Sequence, residues 1–415
     1  MNNNHSSNEK YYKKRIISDK IKSAVGNFSV VVITGARQTG KSTFLINEFP
    51  NFKYISLDDY SILAQAQTDP ASLWIDTNNI IIDEAQKAPH VFSYIKSAVD
   101  KTNRKMRFIL SGSANMLLMK GISESLAGRA VYCELQPMTY GEIKESKDGL
   151  NNFMKLWNDD LKISKHKDEF IDTSPLMLKG FMPPLMYLKS LQDILLWWEG
   201  YIKTYIERDV RDLSQIESLI DFRRLLDSLG VRSGSTLNQS DLSRDTGISQ
   251  PTVYRYLKIL EISNIIRRIP AYAENKTKRI IKSPKVYLID PALSVYLSGY
   301  HNIESLKNAR ELGGFFETMV LLHLSAYAEI MVPKAKIFYW RTTSGKEVDF
   351  IVEHGRKILA IEVKYTKNPT FFDTKNLNIF LEDNKQAIRG VIIHAGSQIK
   401  WLTSKIIAVP WWWIA

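Results

Sequence analysis

The stretch that most constrains the fold is "GARQTGKST", residues 35 to 43. It fits the pattern G-x-x-x-x-G-K-[ST], with glycines at 35 and 40 followed by Lys41 and Ser42. The β-branched run "FSVVVIT" precedes it, and "STFLINEF" has the character of a helix. A strand, a glycine-containing turn and a helix in this order direct consecutive N–H groups at an anion near the helix start. The pattern therefore predicts an α/β domain with a phosphate-binding loop.

We predict that this loop holds the phosphates of a nucleotide. Lys41 would place its ammonium group on the β and γ phosphates, and Ser42 would bind Mg²⁺ through its hydroxyl. A structural turn is the alternative, and the strand and helix on either side argue against it. The predicted nucleotide-binding residues are Gly35, Ala36, Arg37, Gln38, Thr39, Gly40, Lys41, Ser42 and Thr43.

A second polar site follows another apolar run. Up to about residue 140, short apolar runs alternate with amphipathic segments, which predicts a mostly parallel sheet covered by helices. "NIIIDEAQ" ends one of these runs in Asp83 and Glu84, at the carboxyl edge where a parallel sheet presents groups to a ligand. We expect Asp83 to hold the metal, directly or through water. Glu84 would orient and deprotonate the attacking water.

Three more polar residues in this region are catalytic candidates. Ser111 and Ser113 stand at the end of "RFILSGS" and would either sense the γ-phosphate or cap the following helix. Arg129 follows the small residues of "SLAG" and would either stabilise transition-state charge or serve as a surface ion-pair residue. The sequence leaves open whether it would act in its own subunit or across an interface.

Residues 11 to 140 resemble the AAA-type ATPases of archaea and bacteria that carry an uncharacterised carboxy-terminal domain. The resemblance rests on "GARQTGKST", "IIIDEAQ", "ILSGSAN" and "ESLAGR", and it extends to "KGFMPP" and "YIKTYIERDVRDL". It implies ATP binding and hydrolysis with Mg²⁺, with Lys41, Ser42, Asp83 and Glu84 in matching positions. Where the family usually has a glycine pair before its proline, Met182 departs, which leaves the role of that loop open.

The segment from 235 to 264 predicts two helices joined by a tight turn. Asn238 is a candidate cap of the first helix, and Gly247 can end it in the left-handed conformation. Val253, Leu257 and Leu260 share one face of the second helix and should pack inward. With a basic wing over 265 to 290, this resembles a winged helix. The candidate DNA-binding residues are Gln250, Thr252, Tyr254, Arg255 and Lys258. A lid or a protein-docking module is the alternative.

The carboxy-terminal region contains a second acidic pattern. "GKEVDFIVEHGRKILAIEVKY" predicts a hairpin with Asp349 on one strand and with Glu362 and Lys364 on one face of the next. This resembles the PD-(D/E)xK nuclease fold. The resemblance implies that Asp349 and Glu362 bind Mg²⁺ or Mn²⁺, that Lys364 lies by the attacking water, and that Glu317 is an additional acid. An ordinary amphipathic hairpin, or a nuclease fold without activity, is the alternative.

Charge and cysteine content bound the partners and the compartment. The chain has 56 Lys and Arg against 44 Asp and Glu, a net charge of +12, which suits a phosphate-rich partner. Cys133 is the single cysteine, and the first residues lack the apolar core of a secretory signal, which favours a reducing, cytoplasmic setting. Apolar stretches fall short of the ~18–20 residues that span a bilayer, so we predict no membrane partner. The terminal "IIAVPWWWIA" predicts a buried last strand.

We expect four segments in this α/β chain. They are an AAA-type P-loop ATPase domain (1–143), a linker and helical segment (144–230), a winged helix (231–299) and a PD-(D/E)xK-like domain (300–415). The predicted function is Mg²⁺-dependent ATP hydrolysis coupled to DNA. The alternative is an ATP-gated interaction protein whose later domains bind a protein partner and cut nothing. Either reading is compatible with a homo-oligomer.

Overall fold

The computed structural model describes residues 12–113, 126, 128–161, 169–209, 216, 218–273 and 283–415. The chain divides into two compact units. The first comprises residues up to Met138 together with residues 262–264, and the second comprises residues 139–261 and 265–415. Within the described ranges, no helix has both the length and the apolar character that crossing a membrane requires.

The first unit is built on a five-stranded parallel sheet. Its strands are β1 (Val30–Thr34), β2 (Lys53–Ser56), β3 (Asn79–Asp83), β4 (Arg107–Gly112) and β5 (Ala130–Glu134). They lie in the order β2-β3-β4-β1-β5, so β1 has β4 and β5 as its parallel neighbours. All five residues of β1 are buried, as expected for a β-branched strand inside a parallel sheet. The predicted parallel sheet is confirmed.

Helices cover this sheet. They are α1 (Ser18–Asn27), α2 (Lys41–Glu48), α3 (Tyr60–Thr68) and α4 (Val91–Lys101), with short 3₁₀ helices at Pro70–Trp74 and Ala85–Lys87. One hydrophobic core joins the sheet to α4, because Val32 and Ile82 from the strands belong to the same buried cluster as Phe92 and Ile95. This packing fixes the strand ends from which the predicted site residues extend.

The second unit is richer in helices. They are α5 (Tyr140–Lys144), α6 (Asp148–Lys155), α7 (Ser174–Lys179), α8 (Leu191–Tyr201), α9 (Leu219–Val231), α10 (Gln239–Thr246), α11 (Gln250–Ile262), α12 (Pro291–Leu297), α13 (Ile303–Lys307), α14 (Leu312–Ile330) and α15 (Lys375–Asp383). A π-helix covers Ile202–Asp209, and 3₁₀ helices cover Pro183–Tyr187, Phe371–Thr374 and Trp411–Ile414. From Phe315 to Glu329, α14 is buried at nearly every position, so it is a core helix.

Two sheets complete the second unit. The smaller is antiparallel, with β6 (Ser235–Thr236), β7 (Ile266–Ile269) and β8 (Lys285–Leu288) in the order β6-β8-β7. The larger contains β9 (Lys336–Arg341), β10 (Glu347–His354), β11 (Lys357–Lys364), β12 (Ala387–His394), β13 (Lys400–Trp401) and β14 (Ile406–Pro410). Its order is β13-β14-β12-β11-β10-β9, and it is mixed, because β12 pairs in parallel with both β11 and β14. The predicted hairpin is β10–β11, and the predicted buried last strand is β14.

The first part of the predicted linker and helical segment (144–230) contains a helix that packs into the core. α6 lies there, and Phe153 and Leu156 are buried. The Phe153 ring packs 5.1 Å, between centroids, from that of Tyr327 on α14. These few apolar residues anchor the segment to the core although most of its residues are polar, and composition averages over that difference. Residues 162–168 of the same segment lie outside the described residues.

Candidate functional site

The loop between β1 and α2 wraps around Lys41. The ammonium group donates hydrogen bonds to the carbonyl oxygens of Gly35 at 3.0 Å and Ala36 at 2.9 Å. Gly40 precedes α2 with a left-handed backbone, φ 87°, which glycine adopts without strain. A Cβ at Gly35 would lie 2.3 Å from the carbonyl oxygen of Leu135, so a larger residue there would push the loop off the sheet. Burial lowers the pKa of Lys41 to about 8.

Asp83, the last residue of β3, accepts four hydrogen bonds while almost fully buried. Its Oδ2 atom accepts from the hydroxyls of Ser42 and Tyr54, each at 2.5 Å. Its Oδ1 atom accepts from the hydroxyl of Ser111 and from the N–H of Glu84 at 3.0 Å. An ionised carboxylate can accept this many bonds, and four donors stabilise the charge in place of water. The parallel sheet thus brings Ser42, Asp83 and Ser111 together, as the sequence predicts for groups at one sheet edge.

Glu84 has an unusual backbone for a residue other than glycine. Its φ of 54° and ψ of 39° lie in the left-handed region, a conformation that costs about 1–3 kcal/mol and tends to occur at functional sites. Its carboxylate accepts a hydrogen bond from the amide of Gln86, and that amide nitrogen also lies 3.4 Å from the Ser113 hydroxyl. Gln86 therefore links the predicted general base to Ser113.

Two residues that the sequence analysis missed support this site. Arg15 is buried, and its guanidinium donates to the carbonyl oxygens of Thr39 at 2.9 Å and Gln136 at 2.6 Å, tying the loop to the residues after β5. Its only signal in the sequence was its place in a basic run near the amino terminus. Tyr54 comes from β2, which pairs with β3, and its pattern was that of an ordinary strand aromatic.

The remaining loop residues differ in exposure. Thr39 is buried, and its hydroxyl donates to the carbonyl oxygen of Ala36 at 2.8 Å, which stabilises the turn. Arg37 and Gln38 are exposed, and Gln38 has a positive φ of 68°. Thr43 is exposed on the first turn of α2. The side chains that face the solvent are thus those in the middle of the loop and on the outer face of the helix.

The structure does not bring Arg129 to the loop. Its guanidinium forms two hydrogen bonds with the Asp100 carboxylate, at 2.8 and 2.9 Å. Arg129 comes immediately before β5, and Ala130 pairs with Val30, the first residue of β1. Because β1 and β5 are parallel, Arg129 lies at the amino edge of the sheet, one strand length from the carboxyl edge that carries the loop. This arrangement therefore keeps Arg129 away from the phosphate loop of its own chain.

The two predicted helices of the helix-turn-helix are α10 and α11. Asn238 caps α10 by accepting from the N–H groups of Ser240 and Asp241, and Gly247 ends it with φ 72°. Val253, Leu257 and Leu260 are buried, as predicted. The candidate DNA-binding residues differ in exposure. Gln250, Tyr254 and Lys258 are exposed, whereas Thr252 and Arg255 are partly buried. The central part of the predicted wing, 274–282, lies outside the described residues.

The carboxy-terminal acids converge on a lysine from another part of the chain. The ammonium group of Lys285, in β8, lies 2.6 Å from Glu347, 3.1 Å from Asp349 and 3.4 Å from Glu317. We call Lys285, Glu317, Glu347, Asp349 and Glu362 the acid cluster. Sequence reasoning found three of its acids, and it missed Lys285 and Glu347 because their part in the cluster depends on the packing of β8 beside β10.

Contacts within the β10–β11 hairpin hold the other acids of the cluster. Asp349 accepts from the N–H of Val363 at 2.9 Å, and Lys364 pairs with Glu362 at 2.8 Å. Burial and then the neighbouring Asp349 carboxylate raise the pKa of both Glu317 and Glu362. The cluster is therefore crowded with negative charge and poorly hydrated.

Among the residues that the structure describes, no group of three or more His, Cys, Asp or Glu side chains is arranged to hold a metal ion. At the acid cluster the physical reason is visible, since the Lys285 ammonium lies among the carboxylates that were predicted to bind the metal. At the phosphate loop the protein offers one carboxylate and one hydroxyl, and a nucleotide would supply further oxygen ligands.

Comparison with known families finds a match for most of the first unit. Residues 27–144 match the family described as an AAA domain. This region is therefore similar to AAA domains. Residues 172–304 and 312–414 match two domains of unknown function, DUF8612 and DUF4143. The AAA match supports ATP binding in the first unit, and the other two matches add no activity to the second.

The similarity to curated relatives extends well beyond the AAA-like region. An uncharacterised protein of Mycobacterium tuberculosis is 28% identical over 400 residues, which covers 96% of this chain and 83% of that protein. An uncharacterised protein of Methanocaldococcus jannaschii is 26% identical over 379 residues, 86% of this chain and 79% of that protein. Among solved structures, a Walker-type ATPase of Pyrococcus abyssi aligns with a TM-score of 0.43 and 15% identity, over 68% of this chain and 94% of its own.

The residues of the AAA domain fit Mg²⁺ and a nucleotide. A hydroxyl and a carboxylate 2.5 Å apart at the start of α2 are oxygen ligands of the kind that Mg²⁺ prefers. The buried ammonium group of Lys41 donates to two loop carbonyl oxygens, which are a weaker match for its charge than phosphate oxygens. The first N–H groups of α2 add a positive helix end on the same side.

Proposed function

We propose that this protein is a Mg²⁺-dependent ATPase whose AAA domain hydrolyses ATP. The observation that carries the proposal is the 2.5 Å hydrogen bond between Ser42, at the start of α2, and Asp83, at the end of β3. It brings the hydroxyl at the start of α2 and the carboxylate at the end of β3 to one point, where the two groups would hold the metal ion of a bound nucleotide.

The residues around that point have distinct tasks. Lys41 and the first N–H groups of α2 would bind the phosphate oxygens and stabilise the charge that develops on them. Glu84, next to Asp83, would accept a proton from the attacking water, and Gln86 would hold its carboxylate in position through the hydrogen bond described above. Ser42 and Asp83 would hold Mg²⁺, which would act as a Lewis acid on the charge that develops on the phosphate oxygens.

The test compares ATP binding and turnover in four proteins: the unmutated chain, Lys41→Ala, Glu84→Gln and a control, Lys87→Ala. Lys87 is half-exposed and pairs with Asp58 on the surface, so its loss should change neither property. We expect Lys41→Ala to lose binding. Glu84→Gln should bind ATP and turn it over roughly 10²–10⁴-fold more slowly. Normal turnover by Glu84→Gln would remove Glu84 from the mechanism, and normal binding by Lys41→Ala would overturn the proposal.

We further propose that ATP hydrolysis is coupled to DNA through α11. The proposal is supported by the exposed Tyr254 and Lys258 on that helix, by the helix-turn-helix arrangement of α10 and α11, and by the net charge of +12. Such side chains can contact phosphates and base edges in a major groove. A protein partner of the second unit is the alternative, and it requires no DNA effect on ATP turnover.

DNA binding is tested by the salt dependence of affinity for Tyr254→Ala, for Arg255→Ala combined with Lys258→Ala, and for Lys385→Ala, an exposed lysine after α15. Each lost phosphate contact should reduce the slope of log affinity against log salt by about 0.9. We expect a smaller slope for the double variant and no change for Lys385→Ala. Unchanged binding by the double variant would remove α11 as the DNA reader, and unchanged ATP turnover with DNA would favour the protein partner.

Arg129 suggests a role for oligomerisation in this proposal. Because Arg129 lies at the amino edge of the sheet, the nucleotide that it would reach is the one bound to a neighbouring copy of the protein. Mixing Arg129→Ala with Lys41→Ala tests this, because each protein alone should be nearly inactive while mixed assemblies contain some intact sites. Full activity of Arg129→Ala alone would show that its ion pair with Asp100 is structural.

A second candidate activity is metal-dependent cleavage of phosphodiesters at Asp349 and Glu362. It is favoured by Glu362 Oε2, a buried carboxylate oxygen that has no hydrogen-bond partner among the described residues. Nicking of a plasmid with Mg²⁺ or Mn²⁺ should then disappear in Asp349→Ala. Absence of nicking with any metal, also in a variant without Lys285, would end this assignment.

A further inference from the structure

Lys285 is one of the most deeply buried charges of the second unit. Its side chain is 3% exposed, and its ammonium group lies within 3.4 Å of carboxylates from α14 and β10. Burial by itself would lower the pKa of Lys285, and Asp349, Glu317 and Glu347 together raise it above its ordinary value. With three carboxylates within 3.4 Å, the ammonium group of Lys285 occupies the middle of the acid cluster.

The contacts of Lys285 overlap with those that a divalent ion would need. Its ammonium group lies 3.1 Å from Asp349 Oδ1, and Asp349 Oδ2 already accepts the N–H of Val363. Asp349, one of the two carboxylates that were predicted to bind the metal, thus has both oxygens engaged by the protein. Tyr287, also from β8, donates its hydroxyl to Glu317 at 3.0 Å, so β8 engages two acids of the cluster.

The carboxylates of the acid cluster nevertheless outnumber the ammonium groups beside them. Four carboxylates, those of Glu317, Glu347, Asp349 and Glu362, face two ammonium groups, those of Lys285 and Lys364. Arg341 lies at the rim, 3.6 Å from Glu347. Glu362 is 4% exposed, and within the described ranges its buried Oε2 atom has no hydrogen-bond partner. These observations indicate a cation position of which Lys285 covers the Asp349 side.

We propose that Lys285 is a built-in occupant of this cation position and holds the acid cluster closed to divalent metal. An ammonium group and a divalent ion cannot share Asp349 Oδ1, and their mutual repulsion in a poorly hydrated site is strong. The lysine comes from β8, which belongs to the predicted wing, and the acids come from the predicted nuclease-like region. We call this occupation of the cation position by Lys285 the lock. It joins two parts of the chain that are distant in sequence.

The proposal concerns the regulation of the second candidate activity, but its test does not depend on that activity. Mn²⁺ binding is measured by calorimetry without nucleotide for the full-length unmutated chain, Lys285→Met, Lys364→Met and Lys285→Met combined with Asp349→Asn. Methionine matches the length of lysine without its charge. Lys364→Met is the matched control. It also removes an ammonium group that pairs with an acid of the cluster, but it leaves the contact between Lys285 and Asp349 Oδ1 in place. Binding at the phosphate loop is common to all four proteins.

We expect the unmutated chain to show no Asp349-dependent Mn²⁺ binding below about 1 mM, the range of weak carboxylate sites. Lys285→Met should gain such binding, at least about tenfold tighter, and the added Asp349→Asn should abolish it. Three results would overturn the proposal: tight Asp349-dependent binding by the unmutated chain, an equal gain in Lys364→Met, or no gain in a Lys285→Met protein with native circular dichroism. If Lys285→Met does not fold, the unmutated chain and Lys364→Met still decide it.

A nicking assay on the same four proteins and on Asp349→Ala separates this proposal from the nuclease assignment. Lys285→Met that binds Mn²⁺ and does not nick plasmid DNA would leave the lock standing and remove the nuclease assignment. Nicking by the unmutated chain that Asp349→Ala abolishes would support the nuclease assignment and overturn the lock.

Discussion

Asp83 and Asp349 are buried aspartates at two acid sites of this protein, and the protein neutralises them in different ways. Asp83 accepts from three hydroxyls and one backbone N–H, all of which are neutral donors. Asp349 accepts from one N–H and lies beside the ammonium group of Lys285. Neutral donors leave the negative charge of Asp83 available to a cation, whereas Lys285 already balances that of Asp349.

In the proposals above, this difference prepares one buried aspartate for a metal ion and closes the other to it. Hydroxyls rotate and can donate elsewhere when a cation arrives, so that the rearrangement is small. A buried ammonium cannot leave without exposing charge in a poorly hydrated region. An acidic pattern in a sequence therefore does not by itself predict a metal site, because the neighbours decide what neutralises it.

The largest expected effect is the loss of stability in Lys285→Met without added metal. Removing one partner of a buried ion pair costs about 3–5 kcal/mol, since Glu317, Glu347 and Asp349 would remain without their cation. Urea unfolding followed by tryptophan fluorescence measures this in the second unit, because eight of the nine tryptophans follow residue 139. The control Lys203→Met removes an exposed ion pair with Glu199 and should cost less than about 1 kcal/mol. Equal costs would show that Lys285 does not balance the acids.

Asp83→Asn should destabilise the first unit by a smaller amount, about 1–3 kcal/mol. The amide nitrogen cannot accept hydrogen bonds, so two of the four donors around residue 83 would lose their acceptor. Hydrogen exchange of the β3 amides measures the local effect. Asp58→Asn is the control, since Asp58 pairs with Lys87 at the surface. A stable Asp83→Asn protein with unchanged exchange would contradict the role given to these donors.

The pH dependence of nucleotide affinity tests the loop side of the comparison. Because burial lowers the pKa of Lys41 to about 8, the free protein loses this ammonium charge as the pH rises through 8. Bound phosphates would restore it, so binding should take up a proton, and affinity should fall by up to about tenfold per pH unit above 8 and stay level below. Calorimetry at pH 7, 8 and 9 in two buffers of different ionisation enthalpy measures both quantities. An affinity that stays flat to pH 9 would argue against a charged Lys41 in binding.

Tyr54→Phe should have the smallest effect, about 0.5–1.5 kcal/mol, because it removes one of four donors and leaves Asp83 with three. The same hydrogen-exchange measurement on β3 applies. Tyr60→Phe, which changes a side chain that is 89% exposed, should stay within about 0.5 kcal/mol of the unmutated chain. A cost for Tyr54→Phe as large as that of Asp83→Asn would mean that Tyr54 alone positions the carboxylate.

Much of the first unit is predictable because its signals are local. Strand character, the glycine spacing and the rule that parallel strands end at one edge together predict that Ser42 and Asp83 meet. Arg15 and Tyr54 escaped prediction because each contributes through a contact with a residue more than 20 positions away. The location of Arg129 relative to the phosphate loop depended on strand direction, since the start of β5 and the end of β1 lie at opposite edges of the sheet.

The sequence by itself determined the phosphate loop, the strands of the parallel sheet and the β10–β11 hairpin, since each follows from backbone preferences and side-chain periodicity over a few residues. Only the tertiary structure decided that Lys285 lies among Glu317, Glu347 and Asp349. The physical reason is that the neutralisation of a buried charge depends on which groups come within a few ångströms, and packing brings those groups from distant parts of the chain.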